Sequence, residues 1–246
     1  KCDIDERLCR AYTEERLETL LSETASEKLI PILLSFMESI DDKDTDVEDV
    51  QKNPEPSMYA TVTVAAFYKL APPEIFNIIR QKVEELISTA ENWTRIHAAI
   101  LMIYSIADEP TDDNVCEFIS SKFDMLIEAS LPQQVPRLQE TALFVIGLAI
   151  KNYPQIITKV DTDKRITDLI NAFEPSLHID EQQQSNIPPG RLRIFTRYAS
   201  IIYHLSSAWK GNLFESRINT YFDKFYEILG VLFNYGISND DHLLIQ

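Results

Sequence analysis

Two stretches of the chain decide its fold, because they repeat one pattern. Residues 92–101 read NWTRIHAAIL, and residues 135–143 read VPRLQETAL. Each places an Arg ahead of an Ala inside an apolar run, and apolar residues recur three and four positions apart, as they do on one face of a helix. Small Ala side chains let helices approach closely, and an early Arg can reach an acid of a neighbouring repeat. The pattern predicts stacked helical repeats.

The same helical spacing extends along most of the chain. With 5 Gly in 246 residues, the turn signals of β-hairpins are scarce, and most of the 12 Pro fall at predicted helix boundaries. The predicted helices form five pairs, with a repeat of roughly 35 to 55 residues that brackets the ~40 to 47 of HEAT and armadillo units. We expect an all-α fold, a HEAT-repeat α-solenoid built as a right-handed superhelix of antiparallel helix pairs. The predicted helices cover residues 4–23, 25–40, 57–70, 73–89, 92–107, 112–130, 135–153, 163–174, 189–209 and 214–236.

The chain is predicted to form one continuous array over residues 1–246. Two polar insertions interrupt the repeat, at residues 41–56 and 175–189, and both are candidates for exposed loops. The sequence begins at Lys1 rather than Met. We therefore expect a fragment of a longer solenoid.

Charge indicates the class of partner. The chain has 39 acids against 23 bases, for a net charge of -16, and residues 1–56 alone carry 16 acids against 7 bases. Nucleic-acid binding needs clustered Lys and Arg, so we expect no nucleic-acid partner and favour a basic protein or peptide. One interpretation of the acidic insertion is a solvated loop, and the other is a docking site. The candidate binding acids are Asp41, Asp42, Asp44, Asp46, Glu48 and Asp49 in the insertion and Glu84, Glu85, Asp124 and Glu128 on predicted second helices, which line the concave face of a HEAT array.

Several function classes have no support in the sequence. HExxH, GxSxG and phosphate-loop motifs do not occur, so no enzyme is expected. The 3 Cys and 4 His show no metal-ligand spacing, and neither a metal nor a cofactor is predicted. Cys2 and Cys9 are about two helical turns apart, too far for a disulfide, which favours a reducing compartment. No apolar run approaches the ~20 residues of a membrane-spanning helix.

The repeated stretches resemble a known family. Residues 92–101, followed by SIADEP at residues 105–110, are similar to the NWR, AAVM and SI-DGP pattern of the importin beta (karyopherin beta) family. Residues 135–142 and the Ile146-Gly147 pair resemble the segment of the next repeat. Upstream, residues 29–33 look like the helix that precedes the acidic loop of that family. The resemblance covers about residues 29–155 and is moderately specific.

The resemblance implies a receptor for nuclear import. Members of the family grip the basic importin-beta-binding helix of importin alpha, or a basic cargo, on the concave face, and RanGTP binding releases it. Phenylalanine-repeat nucleoporins are further partners, and the receptor shuttles between cytoplasm and nucleus. By its position, the acidic insertion would take the role of the family's acidic loop, which contacts both ligand and Ran.

Two departures from the family concern aromatic residues. The family closes its acidic loop with a Trp, whereas residues 49–51 read DVQ, and a second expected Trp falls near Tyr198 or Ser200. These Trp residues stack on basic ligand side chains, each contributing roughly 0.5 to 2 kcal/mol. Trp93 is predicted to pack between repeats. Tyr198 either offers an aromatic face or belongs to the core.

Two further alternatives stay open on the sequence alone. Arg191, Arg193 and Arg197 either meet an acidic partner or form a solvated or inter-repeat ion-pairing face. The whole chain, instead of a transport receptor, could be a HEAT scaffold or adaptor subunit of another kind, for which an acidic concave face is not required.

Overall fold

The fold was analysed in a computed structural model that describes Thr24 and residues 28–39, 55–108, 113–159, 161–177, 187–208 and 214–239. These residues form eleven helices and no strand, which confirms the predicted all-α solenoid class. The helix predicted over residues 4–23 lies outside them. The helices are α1 (Ile30–Glu38), α2 (Pro56–Leu70), α3 (Pro72–Ser88), α4 (Trp93–Ala107), α5 (Asp113–Ser121), α6 (Phe123–Ala129), α7 (Pro136–Asn152), α8 (Gln155–Thr158), α9 (Thr162–Leu177), α10 (Pro189–Ala208) and α11 (Phe214–Ser238).

Proline marks the start of several helices. It lies in the first turn of α1, α2, α3 and α7, where its fixed φ suits the helix and its missing N–H would have no helical partner. Ala71 alone separates α2 from α3, with φ −142° and ψ 70°, so the chain reverses abruptly. A connection this short makes the two helices antiparallel neighbours. Local sequence therefore sets the helix-pair unit.

The helices fall into two compact units, the first with α1 to α4 and the second with α5 to α11. In the first unit α2 packs against both α1 and α3. The buried face of α3 consists of Ile75, Ile79, Val83 and Leu86, spaced as one stripe of a helix. That residues 1–246 form one continuous array stays a prediction.

The second unit shows how the helix pairs stack. Gln139 of α7 contacts Tyr198 of α10, and Gly147 lies beside Ile201, so the residue numbers rise together and the two first helices run parallel. The second helices α9 and α11 show the same relation, because Tyr221 contacts Asp163 and Tyr235 contacts Leu177. The first helices of successive pairs therefore pack against each other, and so do the second helices. This is how the repeats of a solenoid stack.

Polar contacts set the register between α7 and α10. The Gln139 side-chain amide donates to the Tyr198 hydroxyl at 3.0 Å, and Arg197 pairs with Glu140 at 2.7 Å while its guanidinium lies 4.4 Å from the centroid of the Phe144 ring. Tyr198 is fully buried and its ring centroid is 4.2 Å from that of Phe173. Of the two interpretations of Tyr198, the core position is confirmed, so this residue offers no aromatic face to a ligand.

The helix predicted over residues 112–130 is two helices, which corrects the sequence interpretation. The break falls at Lys122, whose φ of −101° and ψ of 1° leave the helical region. Arg165 of α9 is buried beside the break and donates to the Ser120 carbonyl at 2.8 Å, the Ser120 hydroxyl at 3.1 Å and the Ile156 carbonyl at 2.7 Å. Helix ends leave carbonyls without helical partners, and Arg165 satisfies them. A distant basic side chain therefore stabilises the break.

Other parts of the helix assignment also differ from the prediction. The short helix α8 was not predicted, and α9 continues through Pro175 to Leu177 instead of ending at residue 174. The first residues assigned to the polar insertion at 175–189 are therefore helical. Residues 178–186 of that insertion, and residues 41–54 of the acidic insertion, lie outside the described residues.

Replacing Arg165 tests its role at the break between α5 and α6. Arg165→Met leaves buried carbonyls without donors, each costing about 1 to 3 kcal/mol, so we expect the free energy of unfolding to fall by roughly 2 to 4 kcal/mol. Lys164→Met, at the exposed neighbouring position on α9, is the control and should change it by less than about 1 kcal/mol. Urea unfolding followed by circular dichroism measures both. Equal effects of the two variants would contradict the assignment.

His97 makes the stability of the chain depend on pH. Burial lowers the pKa of His97 from 6.5 to about 4, and its ring packs edge-on to Trp93 with centroids 6.0 Å apart. The native imidazole therefore stays neutral where the unfolded chain already binds a proton. The contribution of His97 is complete above pH 6.5 and is lost as the pH falls toward 4, by roughly 3 kcal/mol in all.

The measurement is urea unfolding of the wild type and of His97→Gln between pH 7 and pH 5. Subtracting the variant removes the titration of other groups, including His204, whose pKa is also lowered, by burial and by nearby Lys151. We expect the wild type to lose stability relative to the variant as the pH falls. Parallel curves would show that His97 does not carry this pH dependence.

Candidate functional site

The candidate site consists of acids, and the structure describes only part of it. Glu84 and Glu85 are exposed on α3 of the first unit. Asp124 and Glu128 are exposed on α6 of the second unit, one helical turn apart on the same face. The acids predicted in the insertion, namely Asp41, Asp42, Asp44, Asp46, Glu48 and Asp49, lie outside the described residues.

Charge is separated between the two kinds of helix. In the described side chains of the second unit, the first helices α7 and α10 carry one acid against five bases, whereas α5, α6, α9 and α11 carry nine acids against three bases. In the first unit, α2 and α4 carry two bases and no acid, and α1 and α3 carry four acids against two bases. Among the described helices, the acidic side chains are therefore concentrated on the second helices.

This separation was missed when acids were counted by segments of the sequence. A count by segment mixes both helices of each pair, so their opposite charges cancel within a repeat. Counting along alternate predicted helices from residue 57 onward reveals it, because those helix boundaries were predicted closely enough. The sequence signal was present and needed only the correct grouping.

Several acids of the second helices are already paired with a Lys of the chain. Lys164 of α9 lies 3.0 Å from Asp124 and 3.7 Å from Asp168, and the hydrogen bond to Asp124 raises the pKa of Lys164. Lys82 lies 2.7 Å from Glu85. Lys224 bridges Glu174 and Glu227 of α9 and α11. A cationic ligand at these acids must compete with cations of the same protein.

Of the three Arg residues of α10, Arg197 takes the inter-repeat role. Arg197 pairs with Glu140 on the preceding first helix, as one of the sequence interpretations proposed, and the Arg191 guanidinium lies 5.9 Å from the centroid of the Phe195 ring. The acid in this ion pair belongs to the repeated stretch at residues 135–143, and the Arg comes from the following repeat. The early Arg of that stretch, Arg137, is itself buried.

Exposed aromatic side chains occur on α11, where the sequence interpretation did not place them. Phe222 is 56% exposed and Tyr226 is 71% exposed, and their rings stack with centroids 6.1 Å apart at 20°. Trp93 is half-buried beside His97. The signal for the α11 aromatics was their four-residue spacing on one helix, which also fits a core stripe, so sequence alone could not assign them to the surface.

Across the described ranges, no three His, Cys, Asp or Glu side chains are grouped so that they could hold a metal ion. Among the helices that the structure describes, none is both long and apolar enough to cross a membrane.

Comparison with known proteins places the fold. The chain is similar to a chain of the solved structure in which Kap95p binding induces the switch loops of RanGDP to adopt the GTP-bound conformation, with a TM-score of 0.63 and 18% sequence identity. The two chains share a fold. The match covers 89% of this chain and 25% of the other, so this chain spans about a quarter of the length of the chain that it matches. No protein-family pattern and no curated protein matches the sequence.

Proposed function

We propose that this chain is part of a nuclear transport receptor that binds basic import signals on its acidic second helices. The observation that carries the proposal is the separation of charge, with nine acids against three bases on the second helices of the second unit. Ligands that suit such a surface are Arg-rich and Lys-rich segments, as in the importin-beta-binding helix of importin alpha or a basic cargo. The proposed role is binding and not catalysis.

The shared fold supports the proposal. The solved structure that it resembles concerns Kap95p, RanGDP and the assembly of nuclear import complexes. By analogy we propose Ran as a second partner, with RanGTP releasing the basic ligand, and phenylalanine-repeat nucleoporins as partners during passage between cytoplasm and nucleus. Fold alone does not imply function, so the ligand is inferred from the charge of the surface.

The physical mechanism is the sum of many weak ion pairs. An exposed pair contributes about 0.2 to 1 kcal/mol, so affinity depends on the number of pairs along the second helices. Salt screens exposed charges over a distance of about 8 Å at physiological ionic strength. Binding should therefore be specific for charge and steeply dependent on salt.

The direct test is fluorescence anisotropy of a labelled peptide rich in Arg and Lys, titrated with the chain at low and at physiological salt. We expect binding that weakens at least tenfold between the two conditions, and no binding of a peptide in which Glu replaces each basic residue. Neutralising the six acids of the insertion should weaken binding further by tenfold or more. Binding that is absent or insensitive to salt would contradict the proposal and favour a scaffold that uses other surfaces.

A matched pair of variants distinguishes peptide binding by the acids of the second helices from attraction by the net charge of the chain. Glu128→Gln removes one acid from α6, and Glu91→Gln removes one exposed acid from the connection between α3 and α4. Both reduce the net negative charge of the chain by one. We expect Glu128→Gln to weaken peptide binding about two- to fivefold and Glu91→Gln to have less than half that effect. Equal effects would mean that net charge, and not the helix surface, attracts the peptide.

Lys164 competes with a basic ligand for Asp124 and Asp168, so removing its charge should strengthen peptide binding. Lys164→Met frees Asp124 and Asp168 for a ligand, and Lys151→Met removes one exposed charge from the first helix α7 as the control. We expect peptide affinity to rise about two- to fivefold for Lys164→Met and to change little for the control. An equal rise in both variants would show that Asp124 and Asp168 are not part of the binding surface.

A further inference from the structure

One face of α11 is apolar and exposed over most of the length of the helix. Phe222, Tyr226, Leu229, Phe233 and Ile237 are 56%, 71%, 40%, 45% and 55% exposed. They recur at spacings of four, three, four and four, which places them along one stripe of the helix. We call these five residues the α11 stripe. The other side of α11 is buried through Phe225, Ile228, Leu232 and Tyr235.

A glycine lies beside this stripe at its centre. Gly230 is exposed within α11, and a Cβ added there would meet no atom within 4 Å. Glycine inside a helix costs about 0.5 to 1 kcal/mol relative to Ala, and nothing within the described chain requires its small size. An absent side chain lets a second helix approach the backbone closely, as at other helix crossings. The glycine therefore points to a helix as the occupant.

We propose that the α11 stripe pairs with the α11 stripe of a second copy of this chain, in an antiparallel arrangement across a two-fold axis. The outer four members of the stripe are placed symmetrically about the midpoint between Leu229 and Gly230, so Leu229 of one copy meets Gly230 of the other. Phe222 faces Ile237 of the second copy, and Tyr226 faces its Phe233. A two-fold interface requires a patch that complements itself, and this one does.

Charge favours the antiparallel direction. The exposed acids that border the stripe, Asp223 and Glu227, both lie in the N-terminal half of the described helix, and the C-terminal half presents Asn234 and Ser238. A parallel pair would place acid against acid. An antiparallel pair places the acids of each copy against the uncharged half of the other.

The size of the stripe fits a weak dimer. Aromatic side chains can bury about 150 to 250 Å² each, so the three roughly half-exposed aromatic rings, together with Leu229 and Ile237, can bury roughly 500 Å² per copy. The total of about 1,000 Å² is at the lower limit for a specific interface. We expect a dissociation constant between roughly 1 and 100 µM.

Analytical ultracentrifugation of the purified chain across this concentration range tests the proposal. We expect a reversible change from monomer to dimer. Tyr226→Lys combined with Phe233→Lys should weaken dimerisation at least tenfold, because each copy then places Lys opposite Lys. Tyr203→Lys is the matched control, since Tyr203 is 65% exposed on α10 and lies outside the stripe. Circular dichroism confirms that each variant is folded.

Cross-linking tests the direction of pairing. In a background with Cys2→Ser and Cys9→Ser, Leu229→Cys places the two new thiols near the two-fold axis and keeps Gly230, whereas Asn234→Cys separates them by roughly 13 Å along the helices. A short bismaleimide should link Leu229→Cys copies and leave Asn234→Cys copies unlinked. Cross-linking of both variants indicates parallel pairing and overturns the proposed arrangement.

Three results would overturn the dimer itself. One is a monomer at all concentrations, which assigns the stripe to another occupant, such as a further helix of a longer chain. The second is growth beyond a dimer, which indicates head-to-tail contacts. The third is a dimer that the stripe variants do not weaken.

Discussion

The register between the first helices α7 and α10 is the constraint on which the second unit depends. A buried hydrogen bond from Gln139 to Tyr198 and an ion pair between Glu140 and Arg197 hold the two helices at one offset. Each buried polar group costs free energy unless it is paired, so a shift along the helix would leave several groups unsatisfied. With the first helices aligned, α9 and α11 are carried into parallel contact, and Tyr221 and Tyr235 reach Asp163 and Leu177.

The same register brings a cation of one first helix to an acid of the preceding first helix. Two bases of the first helices, Arg191 and Arg197, lie against aromatic rings, and Arg197 also pairs across the repeat boundary, so these cations are used within the fold. The exposed acids of the second helices have fewer cations near them, and Lys164 and Lys224 serve several acids at once. Within the described residues, the acids without a nearby cation are therefore found mainly on the second helices.

Much of the architecture was readable from sequence because helix pairs depend on local signals. Pro56, Pro72 and Pro136 start helices at or within one residue of the predicted positions, and the apolar spacing of α3 predicts its buried face. The break at Lys122 was not predictable, because its stabilising donor, Arg165, is more than forty residues away in sequence. The acids of the candidate site could be identified from the sequence. The pairing of Asp124 with Lys164 could not, because it depends on the packing of α9 beside α6.

The sequence by itself determined the all-α class, the pairing of helices into repeats and the acidic balance, because each follows from the spacing or composition of neighbouring residues. Only the tertiary structure decided that Tyr198 is core, that Phe222 and Tyr226 are surface, and which acids are paired. An apolar residue at helical spacing looks the same whether or not another helix covers it. Coverage depends on contacts between residues far apart in the chain, and the local pattern contains no information about them.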